Sequence, residues 1–218
     1  MKTLATRIKR RITRQLFYRI FQFPRILKYR LLSDMDIVKG AKPFVHHPVL
    51  FLGRGTVWIG KGVHFGVTPS PYFYSGYIHI EARNPESTIE IGDSIWFNNN
   101  CSLVSEGPGI SIGQNSLFGS NVEIYDSDFH DLDPRKRMEN GCPKKAHVHI
   151  GNNVFIGSNV KVLKGVAIGD NSVIGNGSIV LASIPANVVA AGNPARTMRE
   201  LISSRPTGSG RIQGSGTA

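Results

Sequence analysis

Residues Ile150 to Val180 read IGNNVF IGSNVK VLKGVA IGDNSV IGNGSI V, with an aliphatic residue at 150, 156, 162, 168, 174 and 180 and no slip in the count. Gly151, Gly157, Gly169 and Gly175 follow four of these positions. A period of six fits neither the turn of an α-helix nor the alternation of an isolated strand, but suits short strands that meet at corners. Three such hexads close one triangular coil. The aliphatic side chains then point inward and stack on their equivalents about 4.8 Å away in the next coil. Glycine or asparagine nearby tolerates the backbone geometry of the corner. The expected fold is mainly β, a parallel β-helix whose core is a stack of Ile and Val ladders.

The same unit recurs upstream in shifted phase. Ile91 and Phe97 lead to Leu103, Ile112 and Phe118 lead to Ile124, and Ile59 and Phe65 make a weaker start. Between Ile124 and Ile150 the chain leaves the helix for an excursion of about 20 extra residues, and long loops on a rigid scaffold commonly carry function. The expected organisation is a basic amphipathic segment at 1–43, a β-helix at 44–195 with its excursion near 125–147, and a basic, partly disordered tail at 196–218.

The formal net charge of the 218 residues is +11. Residues 1–32 hold ten Lys or Arg and no acid, and residues 196–218 hold four Arg against Glu200. The stretch between them carries 12 basic and 14 acidic residues, so the body is close to neutral and a nucleic-acid partner is not expected. Cys101 and Cys142 lie far apart with no C-x-x-C spacing, which argues against a zinc knuckle or disulfide framework and for a reducing compartment. No apolar run approaches the roughly 20 residues of a membrane span, and no signal-peptide core is evident.

The pieces IGDSIWFNNNCSL, NVEIYDSDFHDLDP, VHIGNNVFIGSNVKVLKGVAIGDNSVIGNGSIV and IPANVVAAGNPARTMREL, within Ile91 to Arg199, resemble the hexapeptide-repeat acyltransferases. Within them the likeness is to the galactoside, maltose and nodulation-factor acetyltransferases and the polysaccharide O-acetyltransferases. The resemblance implies a left-handed helix, a homotrimer with sites in the clefts between subunits, acetyl-CoA as co-substrate without a metal, and a sugar acceptor. It implies that His130 in the excursion is the general base. The chemistry agrees, because an imidazole with a pKa near 6.5 is suited to take a proton from a sugar hydroxyl as it attacks a thioester.

Asp126, Asp128 and Asp131 are candidates to orient that ring, with Asp128 named as the orienter. The resemblance further implies that the backbone N–H of Ser158 stabilises the oxyanion, that Asn98, Glu106 and Phe155 meet the acceptor, and that Asn176, Gly177, Arg196 and Arg199 hold coenzyme A. Two positions depart from the family habit: Phe155 stands where Trp is frequent, and Ala182 where Lys is frequent.

Other readings stay open on the residues alone. These are acetylation of a sugar amine, a non-enzymatic scaffold, covalent transfer through Cys142, and a zinc site built on His147 and His149. At the N-terminus, Leu4, Ile8, Ile12, Leu16 and Ile20 recur every four residues among arginines, predicting an amphipathic helix that ends before Pro24. That pattern fits attachment to an anionic membrane at the inner face of a cytoplasmic location, a helix packed on its own trimer, or an organelle transit peptide.

Overall fold

The computed structural model describes residues 13, 16–138 and 141–201, with the backbone but not the side chain of Arg19. Its body is a left-handed parallel β-helix made of three sheets, with strands numbered along the chain. The first sheet stacks β1 (Val38–Gly40), β4 (Thr56–Ile59), β7 (Thr88–Ile91), β10 (Ile110–Ile112), β13 (Val148–Ile150) and β16 (Ala167–Ile168). The second stacks β2 (Phe44–Val45), β5 (His64–Phe65), β8 (Trp96–Phe97), β11 (Leu117–Phe118), β14 (Phe155–Ile156), β17 (Val173–Ile174), β19 (Val188–Gly192) and β20 (Ala195–Glu200). The third stacks β18 (Ile179–Val180), β15 (Lys161–Val162), β12 (Glu123–Tyr125), β9 (Ser102–Ser105), β6 (Ile78–Ala82) and β3 (Val49–Gly53).

The hexad residues form the ladders that their spacing requires. Ile59, Ile91, Ile112, Ile150 and Ile168 are in register in the first sheet, and Ile80, Leu103, Ile124, Val162 and Val180 in the third. All ten are buried. In the second sheet Phe97 lies between Phe65 and Phe118, with ring centroids 5.4 and 4.6 Å away. Burying each such side chain contributes about 1.5–3 kcal/mol, which offsets the ordering of a chain otherwise made of two- to six-residue strands.

Asparagines make the corners. Asn100, Asn121 and Asn159 stack on one edge with φ of 63°, 58° and 59°, and Asn153, Asn171 and Asn187 on another with φ of 54°, 61° and 59°. Asparagine adopts this left-handed conformation at low cost. Each carboxamide also donates to the next, at 2.9–3.0 Å.

Four features differ from the expected organisation. The helix begins with β1 at Val38, six residues ahead of the expected boundary at 44, because Val38 and Gly40 already pair with Val57 and Ile59. A second loop, residues 66–77, leaves the helix between β5 and β6. Residues 196–200 are not tail. A turn at Gly192, whose φ is +108°, returns them antiparallel onto β19, covering an edge whose backbone groups would otherwise be unpaired. The remainder of the expected tail lies outside the described residues.

The N-terminal helix does not stop before Pro24: a π-helical turn, Tyr18–Gln22, runs into α1 (Phe23–Leu31). Phe23 N–H donates to Tyr18 O across the wide turn, and Pro24 sits at the start of α1, where a missing N–H costs little. Leu4, Ile8 and Ile12 of the predicted stripe lie outside the described residues.

Candidate active site

The excursion starts from Asp126, which follows β12 and is fully buried. Its Oδ1 accepts from Glu106 N–H at 2.8 Å, and its Oδ2 from Ser105 Oγ–H at 2.7 Å, Gly109 N–H at 2.9 Å and Gly107 N–H at 3.2 Å. One carboxylate thereby ties the base of the excursion to the 105–109 turn of the coil below. Charge-assisted bonds of this kind are roughly twice as strong as neutral ones. The stems of the excursion are held together by Ala146 N–H to Asp126 O at 2.9 Å and Asp128 N–H to Lys144 O at 3.0 Å.

Above that anchor the chain makes a tight, strained turn. Ser127 Oγ donates to Glu106 Oε2 at 2.6 Å and accepts from Phe129 N–H at 2.9 Å. Phe129 has φ of +60°, a region that an aromatic residue rarely occupies, and strain of this type gathers at functional sites. Its ring stands edge-on to Tyr125 at 5.5 Å and beneath the Arg83 guanidinium at 5.0 Å. His130 N–H donates to Asp128 O at 2.7 Å, while the His130 imidazole is exposed and bonded to nothing among the described residues.

The three acids of DSDFHD have different work. Asp126 is the anchor. Asp128 Oδ1 accepts from Lys164 Nζ at 2.5 Å, and its Oδ2 is buried without a partner among the described residues. Asp131 accepts from Asp133 N–H at 2.9 Å, the local turn bond typical of such residues.

Glu106, expected against the acceptor, is engaged by Ser127 and faces Arg83 at 3.6 Å. Arg83 also bonds Glu81 at 2.7 Å. Burial alone would raise the Glu81 pKa, but the Arg83 and His79 hydrogen bonds outweigh it and hold the carboxyl below its usual range. Sequence reasoning missed this cluster. The groove above it, of about 550 Å³, is lined by Tyr77, His79, Glu81, Arg83, Tyr125 and Phe129, among others. The alternation of His79, Glu81 and Arg83 along β6 and past its end was the available signal.

A second set of expected residues lies elsewhere on the helix. Asn98, Ser158 and Asn176 occupy the corner between the second and third sheets in different coils, following β8, β14 and β17. In the Asn98-Asn99-Asn100 run, Asn100 takes the corner conformation. Asn99 is buried and fastens the 66–77 loop through Val67 and Pro71. Asn98 Oδ1 accepts from Asn99 N–H at 2.7 Å, and its amide N–H groups make no bond among the described residues.

Ser158 N–H, the expected oxyanion donor, donates to Asn176 Oδ1 at 2.9 Å. It is free for another acceptor only when that carboxamide turns away. Gly177 has φ of +71° with open space on its outer side. Phe155 projects from β14, 47% exposed, in register with exposed Leu117 and Trp96. Arg196 and Arg199 lie on β20, two strands from β17 in the second sheet, and are exposed. Among the described residues no hydrogen bond joins this set to the His130 turn within one chain.

The remaining candidates are placed apart from both sets. Cys101 is buried and its thiol is pushed up to about 12 by burial, whereas Cys142 is exposed and unpaired. His147 and His149 each bond Ser111 Oγ at 2.9 Å, and among the described residues no third ligand joins them.

Comparison with known proteins adds sequence likeness to this geometry. Residues 147–182 match the family model described as bacterial transferase hexapeptide (six repeats), and residues 109–124 the model described as hexapeptide repeat of succinyl-transferase. The galactoside O-acetyltransferase of Escherichia coli is 41% identical over 140 residues, 64% of this chain and 63% of that protein. A Saccharomyces cerevisiae protein with a provisional acetyltransferase name is 39% identical over 131 residues, 60% of this chain and 61% of its own. The chain thus spans just over three fifths of these curated relatives. A solved N-acyltransferase variant from Bacillus cereus, in complex with dTDP and coenzyme A, has a TM-score of 0.55 at 17% identity, covering 76% of this chain and 81% of that one; this likeness is one of fold.

Proposed function

Because the chain belongs to the hexapeptide-repeat transferases, we propose that it moves an acetyl group from acetyl-CoA to a hydroxyl of a sugar, with His130 as the general base. The observation that carries this reading is the exposed His130 imidazole, set on a strained turn that a buried carboxylate anchors to the coil beneath.

In the proposed step the hydroxyl oxygen attacks the thioester carbonyl while a His130 ring nitrogen takes the hydroxyl proton. The tetrahedral intermediate collapses by breaking the C–S bond. The coenzyme leaves as a thiolate that takes up a proton, readily so because thiols have a pKa near 8.5. Asp128 is a positioning residue. Its buried Oδ2 has an unfilled acceptor site two residues from the imidazole, and Lys164 fixes its other oxygen. A ring N–H donated there would hold the basic nitrogen toward the acceptor and stabilise the imidazolium that forms.

Asn98, the Ser158 N–H and Phe155 complete the site from a neighbouring subunit in a trimer, which accounts for their separation from His130 within one chain. The row Trp96, Leu117 and Phe155 supplies an apolar wall for such a cleft. Coenzyme A runs along the last coils past Asn176 and Gly177, with Arg196 and Arg199 positioned for its phosphates. Glu106 supports the turn through Ser127 rather than meeting the acceptor directly.

The groove beside Phe129 has the composition of a sugar site, with aromatic faces of Tyr77 and Tyr125 for the ring and the His79, Glu81 and Arg83 edge for hydroxyls. A surface polysaccharide or glycolipid unit is the proposed acceptor. Incubating the protein with acetyl-CoA and a panel of saccharides, then locating new acetyl groups by mass spectrometry, tests this. An alkali-labile ester on a sugar oxygen is expected. An amide on a sugar nitrogen would move the reading to an amino-sugar transferase, and absence of both coenzyme binding and product would end it.

A further inference from the structure

The N-terminal helix is docked with its polar side inward. Gln22, fully buried, donates to His46 O at 3.1 Å. Arg25 reaches Gln22 Oε1 at 2.6 Å and the carbonyls of Phe73 at 3.3 Å and Gly76 at 2.6 Å. Tyr18 stacks on Phe73 at 6.5 Å and Tyr29 on Tyr77 at 4.7 Å. The opposite side carries Leu16, Phe17, Ile20, Phe21, Leu27 and Leu31, each 45–77% exposed. Their spacing of i, i+4, i+11 and i+15 makes one stripe along the helix. An amphipathic helix that packed for the sake of its own domain would bury that stripe. Here the 66–77 loop, held under the helix by Arg25, adds exposed Tyr74, which lines one surface cavity with Phe17, Ile20 and Phe21.

We propose that this face, the stripe of α1 and its π-helical lead together with Tyr74, binds the surface of an anionic lipid bilayer. Charge selects the occupant. Residues 1–32 contain ten Lys or Arg and no acid, and exposed Lys28 and Arg30 lie beside the stripe. A second copy of the same helix would bring like charges together around the contact, whereas an anionic leaflet offers acyl chains to the stripe and headgroup phosphates to the cations. A tyrosine such as Tyr74 suits the boundary, with its ring in the apolar layer and its hydroxyl in the headgroups. Among the described residues no helix is long and apolar enough to cross a membrane, so the helix lies along the surface. The inference does not depend on the acetyl-transfer reading.

The test is co-sedimentation of the full chain with vesicles of phosphatidylcholine alone and of phosphatidylcholine mixed with phosphatidylglycerol. Binding to the mixed vesicles should exceed binding to the neutral ones at least tenfold and fall as salt is raised. The double substitution Leu27→Asn and Leu31→Asn should weaken it at least tenfold while circular dichroism stays that of the wild type. Absence of binding to mixed vesicles, equal binding to the two compositions, or unchanged binding by the folded double variant would each overturn the proposal. So would a lipid-free assembly of the wild type that the double variant dissolves, since the stripe would then be covered by another copy. The two lipid compositions decide the matter with the wild-type protein even where the variant fails to fold.

Discussion

Asp126 supports a prediction whose size can be worked from its four bonds. In Asp126→Ala the donors Ser105 Oγ–H, Glu106 N–H, Gly107 N–H and Gly109 N–H lose their acceptor in a site closed to solvent. A buried unpaired donor costs about 1–3 kcal/mol, so four set an upper range of about 4–12 kcal/mol. Water entering the vacated volume, or the 105–109 turn loosening, brings the expected loss to about 4 kcal/mol. Asp126→Asn keeps the shape but turns one oxygen into an NH₂ group. The less costly orientation presents it to Glu106 N–H, sacrificing one charge-assisted bond and weakening three, for about 2–3 kcal/mol. Urea unfolding at fixed protein concentration measures both losses. Amide exchange at Gly107 and Gly109 should report their local release. The reasoning is refuted if Asp126→Ala loses less than about 1 kcal/mol, or if those two amides stay protected.

His47 is fully buried, bonds Phe73 O through Nδ1 and leaves Nε2 without a partner among the described residues, and burial pushes its pKa down to about 4. The unfolded chain, with His near 6.5, therefore takes up more protons between about pH 6.5 and 4, so stability should fall with pH through that window by up to ~3 kcal/mol. Thermal unfolding of wild type and His47→Gln across that range checks this, and an unchanged slope in the variant would remove His47 as the source. Phe97→Ala, deleting the ring between Phe65 and Phe118, should cost about 3–5 kcal/mol in denaturant unfolding. Asn171→Ala should cost about 2 kcal/mol by forcing φ of +61° on a side chain unsuited to it and breaking two links of the carboxamide ladder. Asn171→Gly, which keeps the conformation, should cost less in the same assay.

The β-helix was legible because its cause is periodic. Ile150 and Ile156, like Ile168 and Ile174, can enter one core only if the chain turns a corner between them, and Asn153 and Asn171 mark those corners in the sequence itself. The excursion was legible as a broken phase. What was not legible depends on contacts between distant segments. Nothing local separates Asp126 from Asp128 and Asp131; the 105–109 turn does so by presenting three N–H groups to the first of them. The Asn98 run likewise divides its work only after Val67 and Pro71 arrive beside Asn99. The helical spacing of Leu16 and Ile20 announced an amphipathic helix, but not that Gln22 and Arg25 would face the body. The strand at 195–200 was hidden because its partner edge exists only once β19 is in place.

The central claim is that His130 takes the acceptor proton during acetyl transfer. It is tested most directly by the rate of acetyl-CoA-dependent acetylation of the preferred sugar by wild type and His130→Ala. The imidazole is exposed and unbonded among the described residues, so the variant should keep its fold and its affinity for coenzyme A while turnover drops by about 10² to 10⁴. A folded His130→Ala protein that acetylates the same sugar at close to the wild-type rate would contradict the account.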